Sequence, residues 1–287
     1  MGNSCGKKPD NIHKEIILTD QSRKYSSRWD VDFKDIEDKY NILKNFPLYE
    51  YLYLLLNHKN DTTTEEFERK IDEPISAISY EKFLTNKIAK HHLIVDTFDE
   101  QDFHLYEDYF KKVYDNVLLY AQWIRNDESI NVLKKIDLVP FAILNCAATF
   151  EVKANLFYAL FSQADGTIAN TRELMEFVFI LLATPSAVSY LSLKDINGLY
   201  PGKIAFKADA ESLMNATEHK DYKSLMSATL KDYIGKKDAR ITKDEYFQKV
   251  NNFDWMFSYS GIRKTLDESN EERDRLKKEK ESQVNNA

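Results

Sequence analysis

Glycine and proline are both scarce in this sequence, which has 7 glycines and 6 prolines among 287 residues. β-Sandwiches, β-barrels and dinucleotide-binding folds use these residues in their many turns, so the shortage disfavours all three classes. A protein built from helices with few breaks needs far fewer of them. The composition therefore predicts an all-α fold, and the chain is long enough to bury a substantial hydrophobic core.

Cysteine is also rare, and the two that are present, Cys5 and Cys146, provide neither a disulfide framework nor a zinc site. Cys146 lies in an apolar, helix-like run and is predicted to be a buried core thiol. Long apolar runs are missing as well, because the longest, residues 177–183, is much shorter than the roughly 20 residues of a membrane-spanning helix. These absences predict a reducing, cytoplasmic location.

The sequence has no surplus of positive charge, since its formal net charge at pH 7 is −7. Domains that bind nucleic acid usually carry a basic surplus, so no nucleic-acid partner is expected. A glycine-rich phosphate loop, a Gly-x-Ser-x-Gly elbow and a His-Glu-x-x-His zinc motif are all missing. The 6 histidines are scattered along the chain. We therefore predict that the protein is not an enzyme.

The N-terminus carries two signals for lipid attachment. Gly2 becomes a free amine once the initiator methionine is removed, as N-myristoylation requires, although Gly6 stands where the usual pattern has serine or threonine. Cys5 is close enough to accept a palmitoyl chain, and one myristoyl chain alone binds membranes only weakly. Residues 1–40 are therefore predicted to form a lipidated arm of a peripheral membrane protein. The alternative is an unmodified arm with an incidental glycine.

The stretch from Phe141 to Leu182 contains two apolar-periodic runs separated by Asp165-Gly166-Thr167-Ile168. The pattern predicts a helix, a tight loop with a left-handed glycine, a short extended segment and a second helix. An EF-hand has this order, with glycine at the sixth position of its 12-residue loop. The alternative is an ordinary helical hairpin whose turn happens to contain Asp-Gly.

Four isoleucines are expected to mark the extended segments of such loops, where each packs against its counterpart in a partner loop. Each stands just before a predicted helix, and three are followed five positions later by an aromatic residue; they are Ile78, Ile136, Ile168 and Ile241. Their spacing from residue 136 onward is typical of repeated helix–loop–helix units, with a weak further match at Ile204. Without that match, residues 184–220 are a long helical insertion.

These motifs resemble those of EF-hand proteins, in particular the branch that contains neuronal calcium sensors and calcineurin-B-like proteins. The resemblance covers residues 136–266 and is carried by Ile136-Asp137-Leu138-Val139-Pro140-Phe141, by Gly166-Thr167-Ile168 and by Ile241-Thr242-Lys243-Asp244-Glu245-Tyr246-Phe247. The Met1-Gly2-Asn3 start is similar to that of myristoylated members. The resemblance implies an all-α fold of paired EF-hand-like helix–loop–helix units joined by short β bridges between their loops.

On this basis the chain is predicted to have four regions. The lipidated arm (1–40) precedes an N-terminal helical region with degenerate EF-hand-like units (41–135). A C-terminal EF-hand-like region (136–266) and a charged tail (267–287) follow.

Calcium ligands are largely missing from the two best loops. EF-hand loops supply oxygen ligands from several positions and a bidentate glutamate from the twelfth. Arg172 takes the twelfth position of the first loop, and Lys236 brings a positive charge into the second. The remaining candidate ligands are Asp165, Glu173, Asp238 and Glu245. We expect calcium, the only cofactor implied, to bind more weakly than about 10⁻⁴–10⁻³ M or not at all.

EF-hand-like pairs without calcium can still form a hydrophobic groove for an amphipathic helix. The residues of the type that line such a groove, or an ordinary core, are Met175, Phe177, Phe179, Phe253, Trp255, Met256 and Phe257. We therefore predict a lipid-anchored, calcium-sensor-like adaptor or regulatory protein that binds a helix of a partner protein at a membrane surface. The alternative is a purely structural helical component of a large cytoskeletal or ciliary assembly without calcium binding.

Overall fold

The computed structural model describes residues 43–57, 64–89, 103–184, 227–228, 230–236, 238–252 and 254–285. Its α-helices are α1 (Leu48–Leu56), α2 (Thr64–Ile71), α3 (Ala77–Phe83), α4 (Phe103–Arg125), α5 (Leu138–Asn145), α6 (Phe150–Phe161), α7 (Thr171–Val178), α8 (Lys243–Val250) and α9 (Tyr259–Asn285). Its strands are β1 (Pro74–Ile75), β2 (Leu133–Lys134), β3 (Thr167–Ile168) and β4 (Ile241–Thr242). Residues 227–228 and 230–234 are also helical. The all-α prediction is confirmed for the described part of the chain.

Two pairs of very short antiparallel strands connect helix–loop–helix segments that are distant in the chain. β1 pairs with β2, which places Ile75 opposite Leu133. β3 pairs with β4, which places Ile168 opposite Ile241. Each strand follows a helix and a loop and precedes another helix within a few residues. Each strand pair therefore joins two helix–loop–helix segments at their loops.

The predicted isoleucine register is correct in the second strand pair and wrong in the first. Ile168 and Ile241 lie opposite each other, as expected. Ile78 instead lies in α3 and is 65% exposed. Ile136 lies in a short 3₁₀ turn, Lys135–Asp137. Neither of these two isoleucines contributes to a strand.

The residues that pair in the first strand pair lie three positions earlier, at Ile75 and Leu133. Each is buried, and each is followed five positions later by a side chain with no exposed surface, Tyr80 or Leu138. The five-residue spacing used for the prediction is therefore correct, but it starts from Ile75 and Leu133 and not from Ile78 and Ile136. Burial of both members of the spaced pair sets the register, so an isoleucine followed by an aromatic side chain is not required.

The boundaries of the long helices follow the sequence signals. Pro47 directly precedes α1, as predicted for a proline at the start of a helix. α1 ends at Asn57, whose backbone is left-handed (φ 47°) and whose N–H donates to the Leu54 carbonyl. α4 also ends before a left-handed asparagine, Asn126 (φ 51°).

α3 and α7 share a feature that the sequence did not predict. α3 continues into the π-helical segment Leu84–Ala89, and α7 continues into the π-helical segment Phe179–Ala183. Both helices follow the first strand of their strand pair. Since π-helical segments are uncommon, their occurrence at equivalent places indicates that the two halves of the fold are built alike.

One hydrophobic core contains side chains from both halves, drawn from residues 43–262. The expected boundary between residues 135 and 136 falls within the 3₁₀ turn Lys135–Asp137. The expected boundary between residues 266 and 267 falls within α9, so the described part of the charged segment continues a helix that begins in the core. Residues 1–40 lie outside the described residues.

The connection between α5 and α6 pairs with the segment that precedes α1. The Leu48 N–H donates to the Ala147 carbonyl (2.9 Å), and the Ala147 N–H donates to the Phe46 carbonyl (2.8 Å). Cys146 beside it is 1% exposed, as predicted for a core thiol, and burial raises the pKa of this thiol. The connection is therefore a fixed part of the core.

A buried tyrosine hydroxyl lies between the strands of the first pair. Tyr114, from α4, donates to the Ile75 carbonyl (3.1 Å) and accepts from the Leu133 N–H (3.3 Å). These groups belong to the two residues that face each other across the strands. Tyr114 is 5% exposed, so its hydroxyl is shielded from water.

Replacement of Tyr114 by phenylalanine is expected to lower the free energy of unfolding by about 1–3 kcal/mol, because a buried carbonyl and a buried N–H lose a partner. Urea denaturation followed by circular dichroism measures the change. Tyr233→Phe removes a hydroxyl from an exposed tyrosine and is the matched control, with an expected change within about 0.5 kcal/mol. Equal stability of the two variants would contradict a stabilising role for the Tyr114 hydroxyl.

Candidate functional site: the paired loops

The loops of the second strand pair are connected by an ion pair. Asp165 Oδ1 accepts from the Thr167 N–H (3.0 Å) and from the Thr167 hydroxyl (2.8 Å), and Gly166 completes the turn with a left-handed φ of 71°. Asp165 Oδ2 accepts from the Arg240 guanidinium at 2.6 Å. The hydrogen bonds from Thr167, followed by the charge of Arg240, lower the pKa of the Asp165 carboxyl.

Glu245 is bound by the main chain at the start of its own helix. Its Oε2 accepts from the Thr242 N–H and from the Thr242 hydroxyl, both at 2.8 Å. The Thr242 hydroxyl accepts in turn from the Glu245 N–H (3.3 Å). This capping box begins α8, and its hydrogen bonds lower the pKa of Glu245. Asp238 is exposed in the loop that leads to α8.

Arg172, and not Glu173, lies four residues after the paired residue of β3, which is the place that Glu245 has after β4. The Arg172 guanidinium donates to Glu176 (3.1 Å) and to the Ser227 hydroxyl (2.6 Å). Glu173 is half-buried in the first turn of α7. A guanidinium therefore occupies the position where a calcium loop has its bidentate carboxylate.

Within the residues that the structure describes, no group of three or more His, Cys, Asp or Glu side chains could hold a metal ion. Asp165 faces Arg240, and Glu245 caps its own helix. The role of Asp165, Glu173, Asp238 and Glu245 as weak calcium ligands stays a prediction.

Ion pairs also connect the loops of the first strand pair. The Lys134 ammonium lies 2.9 Å from Asp72, and the Lys135 ammonium lies 2.6 Å from Glu73. The hydrogen bond from Lys135 lowers the pKa of Glu73. Both lysines lie in or beside β2, and both carboxylates lie just before β1. The charged side chains therefore join the same two loops as the strands do.

A third carboxylate at this strand pair is buried. Asp137 is 5% exposed; its Oδ2 accepts from the Lys134 N–H (2.7 Å) and its Oδ1 is paired with the Arg125 guanidinium. Burial raises the pKa of Asp137, and the Lys134 N–H and the Arg125 charge oppose that rise. Arg125 ends α4, so the pair fixes the end of that helix against the loop.

Sequence reasoning missed these ion pairs because the register of the first strand pair was displaced. The missed signal is that two adjacent acidic residues lie beside one strand and two adjacent basic residues lie beside the other. Asp72-Glu73 precedes Pro74-Ile75, and Lys134-Lys135 follows Leu133. Antiparallel pairing of these two positions brings the doublets together.

Most of the residues that the sequence analysis assigned to either a groove or an ordinary core lie in the core. The buried ones, 7% exposed or less, are Met175, Phe179, Trp255, Met256 and Phe257. The ring of Phe179 meets that of Trp255 edge-on, with centroids 4.8 Å apart. Phe177 is half-buried and stacks on Trp123 of α4, with centroids 4.2 Å apart. Phe253 lies outside the described residues.

The 3₁₀ turn Asp254–Phe257 contacts the core on two sides, through Lys153 and through Gly261. The buried Lys153 ammonium donates to the Leu144 carbonyl (3.1 Å) and to the Phe257 carbonyl (3.2 Å). Gly261 of α9 passes so close to the turn that a Cβ there would lie 2.6 Å from the Trp255 carbonyl oxygen. The turn is therefore an integral part of the core.

Gly2 and Cys5, the predicted lipidation sites, lie outside the described residues. None of the described helices is both long enough and apolar enough to cross a membrane.

Comparisons with protein-family models, with curated proteins and with solved structures found no match to the chain. The EF-hand resemblance therefore depends on the sequence motifs and on the geometry of the two strand pairs.

Replacement of Asp165 by asparagine is expected to lower stability at pH 7, and the effect is expected to shrink as the pH falls below 3.8. The folded-state pKa of Asp165 lies below its ordinary value of 3.8, so its stabilising contribution is present above that value and is lost as the pH falls through the lower one.

Urea midpoints of wild type and Asp165→Asn at several pH values between 7 and 3 test this expectation. Asp238→Asn, an exposed aspartate of the facing loop, is the control, and its difference from wild type is expected to be small at every pH. A difference for Asp165→Asn that stays constant down to pH 3 would contradict the assignment.

Proposed function

We propose that the chain is an EF-hand-like adaptor that binds a helical segment of a partner protein, with calcium binding weak or lost. The observation that carries this proposal is the pairing of Ile168 with Ile241 between helix–loop–helix segments. The same arrangement recurs where Ile75 faces Leu133. Two paired units of this kind are what the family resemblance implies.

The residue types in the loops support weak or lost calcium binding. When the paired strand residue is counted as position 8, the four 12-residue loops are 68–79, 126–137, 161–172 and 234–245. Their twelfth residues are Ser79, Asp137, Arg172 and Glu245. Calcium needs six to eight oxygen ligands and a bidentate glutamate at this position. Only the fourth loop retains that glutamate, and its side chain caps α8.

A partner helix needs an apolar surface that the core leaves accessible. Leu119 of α4 is 52% exposed and lies one helical turn before Trp123, which is half-buried and stacked on Phe177 of α7. We call these three residues the aromatic shelf. Residues four apart share one face of a helix, and an amphipathic helix binds by placing its apolar face on such a surface. The shelf supports the partner-helix part of the proposal.

Leu119→Glu tests this surface, because it places a charge on the shelf at a residue that is already half exposed. The full-length protein is used to capture partners, which are quantified by mass spectrometry. Ile78→Glu, on an exposed isoleucine of α3, is the matched control. A partner retained by wild type and Ile78→Glu, but reduced about tenfold by Leu119→Glu, corresponds to a loss of about 1.4 kcal/mol in binding.

Circular dichroism of the captured partner's binding segment is expected to show helix formation on binding. Equal capture by all three proteins, or an extended bound segment, would contradict the proposal.

α9 favours the alternative, a structural role in a larger assembly. This helix has 27 residues, and none of its described side chains after Ile262 is buried. In that case the captured proteins would depend on α9, and Leu119→Glu would not change their amounts.

We also propose that the protein is anchored to membranes by lipid groups on Gly2 and Cys5, as the N-terminal pattern predicts. Wild type is expected to sediment with membranes, and Gly2→Ala is expected to remain in the supernatant. Cys5→Ser is expected to divide between the two, since a single myristoyl chain binds membranes only marginally. Mass spectrometry of the N-terminal peptide gives the attached groups directly. An unmodified amine on Met1 or Gly2 in protein from its own cells would contradict lipid anchoring.

A further inference from the structure

We propose that basic side chains of the facing loops, in place of a metal ion, neutralise acidic ligand positions in both loop pairs. Lys134 and Lys135 act in the first pair, and Arg240 acts in the second. This inference rests on the EF-hand-like loops proposed above and concerns how they are regulated. It makes the loop pairing constitutive.

Both halves have an aspartate at the same position of one loop, paired with a basic side chain from the facing loop. Asp72 and Asp165 each lie three residues before the paired strand residue of their loop, at the fifth position, where a calcium loop has an oxygen ligand. Each carboxylate meets a basic side chain from the facing loop, Lys134 at 2.9 Å or Arg240 at 2.6 Å. Each basic residue is adjacent in sequence to a paired strand residue, since Lys134 follows Leu133 and Arg240 precedes Ile241. The acidic position is thus the same in both halves, and the base comes from either side of the facing residue.

Other ligand positions are also neutralised by the protein. The carboxylate at the twelfth position of the second loop, Asp137, is paired with Arg125. The twelfth position of the third loop is itself a guanidinium, Arg172. A calcium ion that approached these loops would meet positive charges at close range, where like charges repel strongly. Asp72, Asp165 and Asp137, three carboxylates at ligand positions, already have basic partners.

The consequence concerns how partner binding is controlled. In a calcium sensor, the metal ion changes the arrangement of the helices and exposes the binding surface. Here the cross-loop contacts are complete without a metal ion, so the strand pairs and the helices attached to them keep one arrangement at any calcium concentration. Control of the protein then has to come from its partner or its location.

Amide hydrogen exchange of the full-length protein in EDTA at low salt tests the inference. Arg240→Gln is expected to speed exchange at the β3 and β4 amides by roughly 1.5- to 5-fold, the effect of losing one largely exposed ion pair. Arg275→Gln is the matched control, because it breaks the similarly exposed Arg275–Glu279 pair on α9 and makes the same change in net charge. It is expected to leave the strand amides unchanged.

Arg240→Gln is expected to change strand exchange little in the Asp165→Asn background, since the ion pair is already lost there and both proteins differ from wild type alike at the Thr167 hydrogen bonds. High salt is expected to reduce the difference between wild type and Arg240→Gln. In wild type, roughly 10⁻³ M calcium, the weak end of the EF-hand range, is expected to leave exchange of the strand amides unchanged.

Two results would overturn the inference: equal strand exchange in Arg240→Gln and Arg275→Gln, or slower strand exchange of wild type on addition of calcium. The measurement uses no partner protein. Its failure would therefore leave the adaptor proposal standing, and loss of the partner result would leave this inference standing.

Discussion

Antiparallel pairing of strands that are only two residues long connects the loops in each half of this protein. Such short strands contribute few hydrogen bonds and are not stable alone. They persist because Ile75, Leu133, Ile168 and Ile241 are all buried in the core beneath them. The helices on either side of each loop supply that core. The two hydrogen bonds of the Tyr114 hydroxyl and the cross-loop ion pairs depend on this pairing, since a shift of one residue would separate their partners.

Apolar burial stabilises each strand pair on its core side, and ion pairs join the loops on its exposed side. The apolar paired residues face the core, and the carboxylates just before β1 and β3 meet lysine or arginine from the facing loop. Exposed ion pairs contribute little individually, about 0–1 kcal/mol, so burial supplies most of the stability and the charges mainly favour the correct partner loop. This arrangement fits an adaptor whose surface is available without a metal signal. The proposed adaptor role uses the aromatic shelf, and the alternative structural role uses the exposed α9.

The sequence predicted those features that depend on neighbours along the chain. The start of α1 at Pro47, the end of α4 at Arg125 and the left-handed turn at Gly166 follow from local signals. Ile168 and Ile241 were found because glycine and threonine mark their loops. Ile78 and Ile136 were chosen wrongly, since local spacing does not show which of two apolar residues three positions apart lies in the strand pair. The cross-loop ion pairs need the register first, and the groove residues proved to be core because residue type alone does not give burial.

The contact between Ile168 and Ile241 is the most direct test of the loop pairing, because these two residues face each other where β3 pairs with β4. Nuclear Overhauser spectroscopy of protein labelled at the isoleucine δ1-methyl groups, recorded in EDTA, measures it. The account predicts a cross-peak between these two methyl groups in metal-free buffer and none from either to Ile78. Absence of the cross-peak, or its appearance only after calcium is added, would contradict metal-independent pairing of the loops.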